Sequence, residues 1–118
     1  MPVLYSNVLL DHFRRPRNYG SLEGADVSYE AFNPLCGDRI RIEVKLDDEI
    51  VREARFKGDG CAISMAAASL LTEMIIGKEI GDISDEQLIE ALQSQIQPQR
   101  VQCAVLPLTA LRDGLEHR

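Results

Sequence analysis

Between Arg39 and Lys45 the chain alternates without a break, with Ile40, Ile42 and Val44 on one parity and Arg39, Arg41, Glu43 and Lys45 on the other. A period of two sends alternate side chains to opposite faces of a strand, so one set enters a core and the other meets water. Such a strand needs neighbours. Asp47, Asp48 and Glu49 form an acidic turn and Ile50 to Lys57 is a second β-rich segment, which together predict an antiparallel hairpin. Upstream, Val27, Tyr29 and Ala31 alternate with polar residues until Asn33 and Pro34, giving a third strand. The expected sheet is three-stranded and antiparallel.

Helices should cover it. Leu4, Val8, Leu9 and Phe13 recur at helical spacing before Pro16, Asn18 and Gly20 break the pattern, which predicts an amphipathic helix from about Leu4 to Arg14. Gly58, Asp59 and Gly60 are expected to break the sheet. From Cys61 to Gly77 the chain turns to Ala, Ser, Met and Leu, a helix whose small residues admit close neighbours. Ser84 with Gln87 reads as a capping box opening a helix to about Ser94. Leu106 to Leu115 is the expected last helix, with Pro107 tolerable in its first turn. The reading is a single α/β (α+β) domain spanning residues 1–118.

With 45% hydrophobic residues among 118, a chain of this length encloses a core without a disulfide framework. The cysteine count of three is odd and no charged-then-apolar leader opens the sequence, so a reducing cytoplasm is expected. Apolar stretches fall far short of the roughly 20 residues that span a bilayer, which excludes a transmembrane segment. A formal net charge of −6 opposes phosphate-backbone binding and argues against nucleic acid as a partner. Local basic clusters at Arg14, Arg15 and Arg17 and at Arg39 and Arg41 read either as a solvated face or as a docking patch for an acidic protein surface.

The cysteines carry the chemistry. Cys36 lies in the turn Asn33-Pro34-Leu35-Cys36-Gly37-Asp38, Cys61 at a helix start, and Cys103 just before the expected last helix, between Arg100 and Pro107. Three soft thiolates and the Asp38 carboxylate complete a tetrahedral shell for zinc, iron(II) or copper(I). A divalent ion so held keeps a net negative charge around it, so Arg39 and Arg100 are the expected compensating cations. Neither His12 nor His117 has the setting of a Cys-His nucleophile pair, and no GxGxxG or P-loop pattern occurs.

NPLCGD around Cys36, GDGCAISMAAASLLTE around Cys61, RVQCAVLPL around Cys103 and the opening LYSNVLLDHFRRPRNYG resemble the iron-sulfur cluster assembly proteins of the IscU, SufU and NifU N-terminal-domain family. The resemblance covers nearly the whole chain. It implies a compact SufE/NifU-like α/β domain in which three cysteine loops meet at one end, with Cys36, Asp38, Cys61 and Cys103 as ligands of zinc, iron(II) or a transient [2Fe-2S] cluster. It further implies a PLP-dependent cysteine desulfurase as sulfur donor and downstream iron-sulfur acceptor or assembly proteins as recipients, with a monomer as the default state. Arg100 matches an arginine near the third cysteine of the SufU-like branch. In the IscU branch a histidine immediately precedes the third cysteine; here that place holds Gln102, and Gln97 to Val101 replace the LPPVK segment. The insertion usual in SufU before the third cysteine is also missing, since only 42 positions separate Cys61 from Cys103.

Three functions compete on this reading: an assembly protein that accepts sulfur and serves as scaffold or sulfur carrier, a zinc-dependent sulfurtransferase partner that forms no cluster, and a structural zinc module. Cys36 is the expected sulfur acceptor because proline and glycine flank it in a loop free to make an excursion, with Cys103 as the alternative acceptor and Arg100 assisting ligand exchange.

Overall fold

The structure is a computed structural model that describes residues 5–118. Its elements run α1 (Asn7–Arg14), β1 (Val27–Asn33), β2 (Asp38–Asp47), β3 (Ile50–Asp59), α2 (Ala62–Ile75), α3 (Asp85–Ala91), a 3₁₀ turn (Pro98–Arg100) and α4 (Val101–Glu116). The sheet has the order β1-β2-β3 with both pairs antiparallel, as the alternation predicts. Ile40, Ile42 and Val44 are fully buried on the inner face with Val27, Ala31 and Phe56.

The β2–β3 register shifts between Lys45 and Leu46, so that Leu46 faces Val51 while Lys45 faces Glu53. Arg52 is the extra residue of this bulge. It lets Val51 and Ala54, three positions apart, both enter the core. β3 also runs further than expected: Gly58 and Asp59 pair with Ile40 and Arg39, so only Gly60 breaks the sheet.

α2 is the central helix. Ala66, Ala67, Ala68 and Ser69 are completely buried, and their small side chains let α1, α4 and β3 close on it from different sides. α1 begins at Asn7, capped by Ser6, later than the spacing predicts; Leu4 lies outside the described residues. α3 carries the full Ser84–Gln87 capping box and ends at Ala91, short of Ser94.

α4 overturns an expectation. It starts at Val101, not Leu106, and takes Pro107 into its interior. Proline lacks the N–H that would bond the carbonyl four residues back, here that of Cys103, at a typical cost of about 3 kcal/mol. Burial of Ala104, Leu108 and Leu111 against β1, β2 and α2 offsets that cost. No helix among the described residues is long and apolar enough to cross a membrane.

Candidate metal centre

The site forms where the β1–β2 turn, the start of α2 and the first turn of α4 converge. Asn33 builds the turn: its side-chain oxygen accepts from the Leu35 amide at 3.1 Å and its carbonyl from the Gly37 amide at 2.8 Å. Gly37 supplies the positive φ of +77° that this reversal requires. Cys36 is thereby presented to solvent beside Leu35, which is 91% exposed.

Asp38 has the same parity as Ile40 and so points to the inner face, where it is 4% exposed. Its Oδ1 accepts from the Cys61 amide at 3.1 Å; its Oδ2 is buried without a hydrogen-bond partner among the described residues. Burial pushes the carboxyl up, but the neighbouring thiols of Cys36, Cys61 and Cys103 and the hydroxyl of Ser64 favour the carboxylate, together outweigh burial and hold Asp38 below the ordinary carboxylate value.

Cys103 is 1% exposed and sits inside the first turn of α4, where the sequence reading put it before the helix. Its sulfur lies 3.5 Å from that of Cys36. Burial, then the hydrogen bond with Cys36 and the proximity of Cys61, push this thiol up to about 12. The thiol of Cys103 in turn raises the Arg100 guanidinium above its ordinary value, with the charge of Cys61 adding to the effect.

Ligand atoms of Cys36, Asp38 and Cys103 all lie within 4.8 Å of one another. Cys61, the N-cap of α2, does not belong to that group: its sulfur lies 3.8 Å from Ser64 Oγ, while its amide holds Asp38. Arg39 is a second departure, because its odd parity places it on the outer face. There it lies 3.9 Å from Glu30 and 5.8 Å from the Phe32 ring centroid, in place of the expected thiol neighbours. Arg100 is the cation at the thiols.

Sequence reasoning missed Ser64. It is fully buried, donates to the Cys61 carbonyl at 3.2 Å and is one of the groups that lower Asp38. Its position three residues after a helix N-cap was the available signal. Gly60 was read only as a breaker, yet a Cβ there would stand 2.2 Å from Ser64 Oγ and 3.3 Å from Asp38 Cγ. Glycine lets the chain pass beside the carboxylate without displacing the Ser64 hydroxyl.

Two thiols converge with the Asp38 carboxylate, one oxygen of which is buried and unpartnered among the described residues, and a third thiol borders them. Zinc or iron(II) fits this donor set of sulfur and oxygen, and the ion would satisfy the orphaned oxygen.

Residues 4–117 match the family described as the NifU-like N terminal domain. The chain is 41% identical over 135 aligned positions to the zinc-dependent sulfurtransferase SufU of Bacillus subtilis, covering 98% of this chain and 91% of that protein. That alignment is longer than the 118 residues here, so the relative carries segments this chain lacks. The iron-sulfur cluster assembly scaffold protein IscU of Escherichia coli is 33% identical over 120 positions, covering 96% of this chain and 92% of that one. Among solved structures, a candidate iron-sulfur cluster assembly scaffold protein for the SUF system from Fervidobacterium islandicum superposes with a TM-score of 0.81 at 26% identity, covering 94% of this chain and 96% of that one.

Proposed function

The chain belongs to the NifU-like N-terminal domain family, and we propose that it is an iron-sulfur cluster assembly protein that accepts sulfur from a PLP-dependent cysteine desulfurase and acts as cluster scaffold or sulfur carrier. The observation that carries this reading is the group of Cys36, Asp38 and Cys103, whose ligand atoms lie within 4.8 Å with one thiol exposed and one buried.

Cys36 is the sulfur acceptor. It stands on an exposed turn beside Leu35, whose side chain is free to bury against a partner. Its thiolate attacks the terminal sulfur of the donor's persulfide, a new sulfur-sulfur bond forms at Cys36, and the donor's cysteine leaves as thiolate. Cys36, Asp38, Cys61 and Cys103 are the residues that would hold zinc or iron(II), and such an ion when bound keeps their thiols deprotonated. Asp38 supplies the one hard donor, the Cys61 amide fixes its orientation, and Arg100 balances the charge of the thiolates. A [2Fe-2S] cluster is cargo on the same residues. The whole chain, residues 1–118, acts as one domain, by default as a monomer in the cytoplasm, and hands sulfur or cluster to downstream assembly proteins.

The second reading is a zinc-dependent sulfurtransferase partner that forms no cluster. The 41% identity to SufU and the presence of Arg100 beside Cys103, with glutamine at position 102, favour it over a pure scaffold. Anaerobic reconstitution with iron, cysteine and a desulfurase separates the two. Visible charge-transfer absorption from the chain is the scaffold's outcome; persulfide on Cys36 without colour is the carrier's.

A further inference from the structure

Cys36 and Cys103 are placed for a reaction that neither sulfur acceptance nor metal binding requires. Their sulfurs are 3.5 Å apart, while a disulfide bond is about 2.0 Å long, so a modest side-chain movement joins them. The two partners divide that movement unequally. Cys103 is buried in α4, whereas Cys36 lies on an exposed turn next to Gly37 at φ +77°. Cys61 is less well placed to compete, since its sulfur lies outside the 4.8 Å group and rests 3.8 Å from Ser64 Oγ.

We infer that Cys103 is a resolving thiol: once Cys36 of the metal-free chain carries a sulfane sulfur, Cys103 attacks Cys36 Sγ, sulfide is released, and a Cys36–Cys103 disulfide remains. This rests on Cys36 being the sulfur acceptor. The bond that forms joins Cys103 Sγ to Cys36 Sγ; the bond that breaks joins Cys36 Sγ to the sulfane sulfur. The departing hydrosulfide takes the proton of the Cys103 thiol and leaves as hydrogen sulfide. The sulfane sulfur is reduced by two electrons, and the two cysteine sulfurs are oxidised by the same two. No outside oxidant or reductant takes part in the release. An external dithiol reductant then reopens the disulfide by exchange and readies the chain for another turnover.

The chemical consequence is a change in what the protein delivers. Cluster building consumes sulfide, whereas a desulfurase supplies sulfur at the sulfane level, and the thiol pair converts one to the other within a single chain. A metal ion held by Cys36 and Cys103 would occupy both sulfurs, so the release belongs to the metal-free state.

The test uses the full chain, freed of metal and reductant, mixed with one equivalent of a cysteine desulfurase preloaded with a single sulfane sulfur and separated from free cysteine. Sulfide is trapped and quantified while the chain is weighed intact and mapped by peptides. The expected result is one sulfide per chain, a chain lighter by two hydrogens, and Cys36 peptide linked to Cys103 peptide. Cys103→Ser should retain one extra sulfur on Cys36 and release none. A wild-type chain that keeps that sulfur on Cys36 with Cys103 free overturns this inference and leaves the acceptor reading standing. Failure of metal-free wild type and Cys103→Ser to take up sulfur, where zinc-loaded wild type takes it up on Cys36, overturns this inference and leaves the acceptor reading standing; failure of the zinc-loaded chain as well overturns both. A linkage from Cys36 to Cys61 overturns the choice of Cys103.

Discussion

The backbone amide of Cys61 donates a 3.1 Å hydrogen bond to Asp38 Oδ1 and so ties the start of α2 to the start of β2. One carboxylate oxygen is thereby fixed while the other, Oδ2, is buried and unpartnered among the described residues. The carboxylate keeps one oxygen open to a cation: burial works against its charge, the polar groups around it favour that charge, and the second effect prevails.

Asp38→Asn tests that balance, because the amide oxygen still accepts from Cys61 while the charge is gone. The metal-free melting temperature should fall slightly near neutral pH, because the fold favours the ionised carboxylate. The rise in melting temperature on adding zinc should shrink, each tenfold loss of affinity removing about 1.4 kcal/mol at saturating metal. Calorimetry with and without zinc reads both; an undiminished zinc response would show that Asp38 is not a ligand.

Cys61 stands outside the converging group, yet the sequence reading makes it a ligand. Loading the chain with cobalt(II) and titrating the thiolate charge-transfer absorption counts the bound sulfurs. Cys61→Ala should lower that absorption by about one third if three thiolates bind. An unchanged spectrum assigns Cys61 to holding Asp38 through its amide alone.

His12 ties α1 to α2. It is buried, with Nδ1 2.8 Å from Ser69 Oγ and Nε2 3.4 Å from Glu73. Burial, helped by Arg17 and opposed by Glu73 and Asp11, lowers its value from the ordinary 6.5. The unfolded chain therefore binds a proton that the folded chain resists. Stability from this group is complete above 6.5, falls as pH drops below it, and levels off under the folded value. Melting curves at about pH 7.5 and about pH 5.5 should show the loss, and His12→Gln should flatten it. The acid shifts of Asp38 and Asp11 lie below 3.8 and do not overlap this window.

Gly60→Ala places a Cβ against Ser64 and Asp38. Ser64 is fully buried and must turn its hydroxyl away, so the loss of that hydrogen bond should cost about 1 kcal/mol and weaken metal binding. In a Ser64→Ala background the clashing oxygen is absent, and adding Gly60→Ala should cost measurably less. Denaturant melts of the double-mutant cycle measure the coupling; simple additivity would mean that Ser64 does not confine position 60.

How much of this was legible follows from the range of each cause. Strand parity acts between adjacent residues, so the inner face of Ile40, Ile42 and Val44 could be read directly, and extending the same parity one step places Asp38 inside and Arg39 outside. Expecting Arg39 at the thiols neglected that rule. The capping box of α3 is equally local and was readable down to its two residues, Ser84 and Gln87. Pro107 was misread for the opposite reason: its local cost is real, but contacts of Ala104, Leu108 and Leu111 with distant strands carry the helix through it, and those lie far off in sequence.

The sequence by itself determined the three strands and the helices that cover them, and it marked the three cysteines and the aspartate as candidate donors, because periodicity, turn residues and ligand chemistry are properties of short segments. Tertiary structure alone decided which donors meet. Cys36 and Cys103 are 67 positions apart in the chain and 3.5 Å apart in space. Their meeting depends on α4 docking across β1 and β2, a consequence of burying apolar faces that no local pattern encodes.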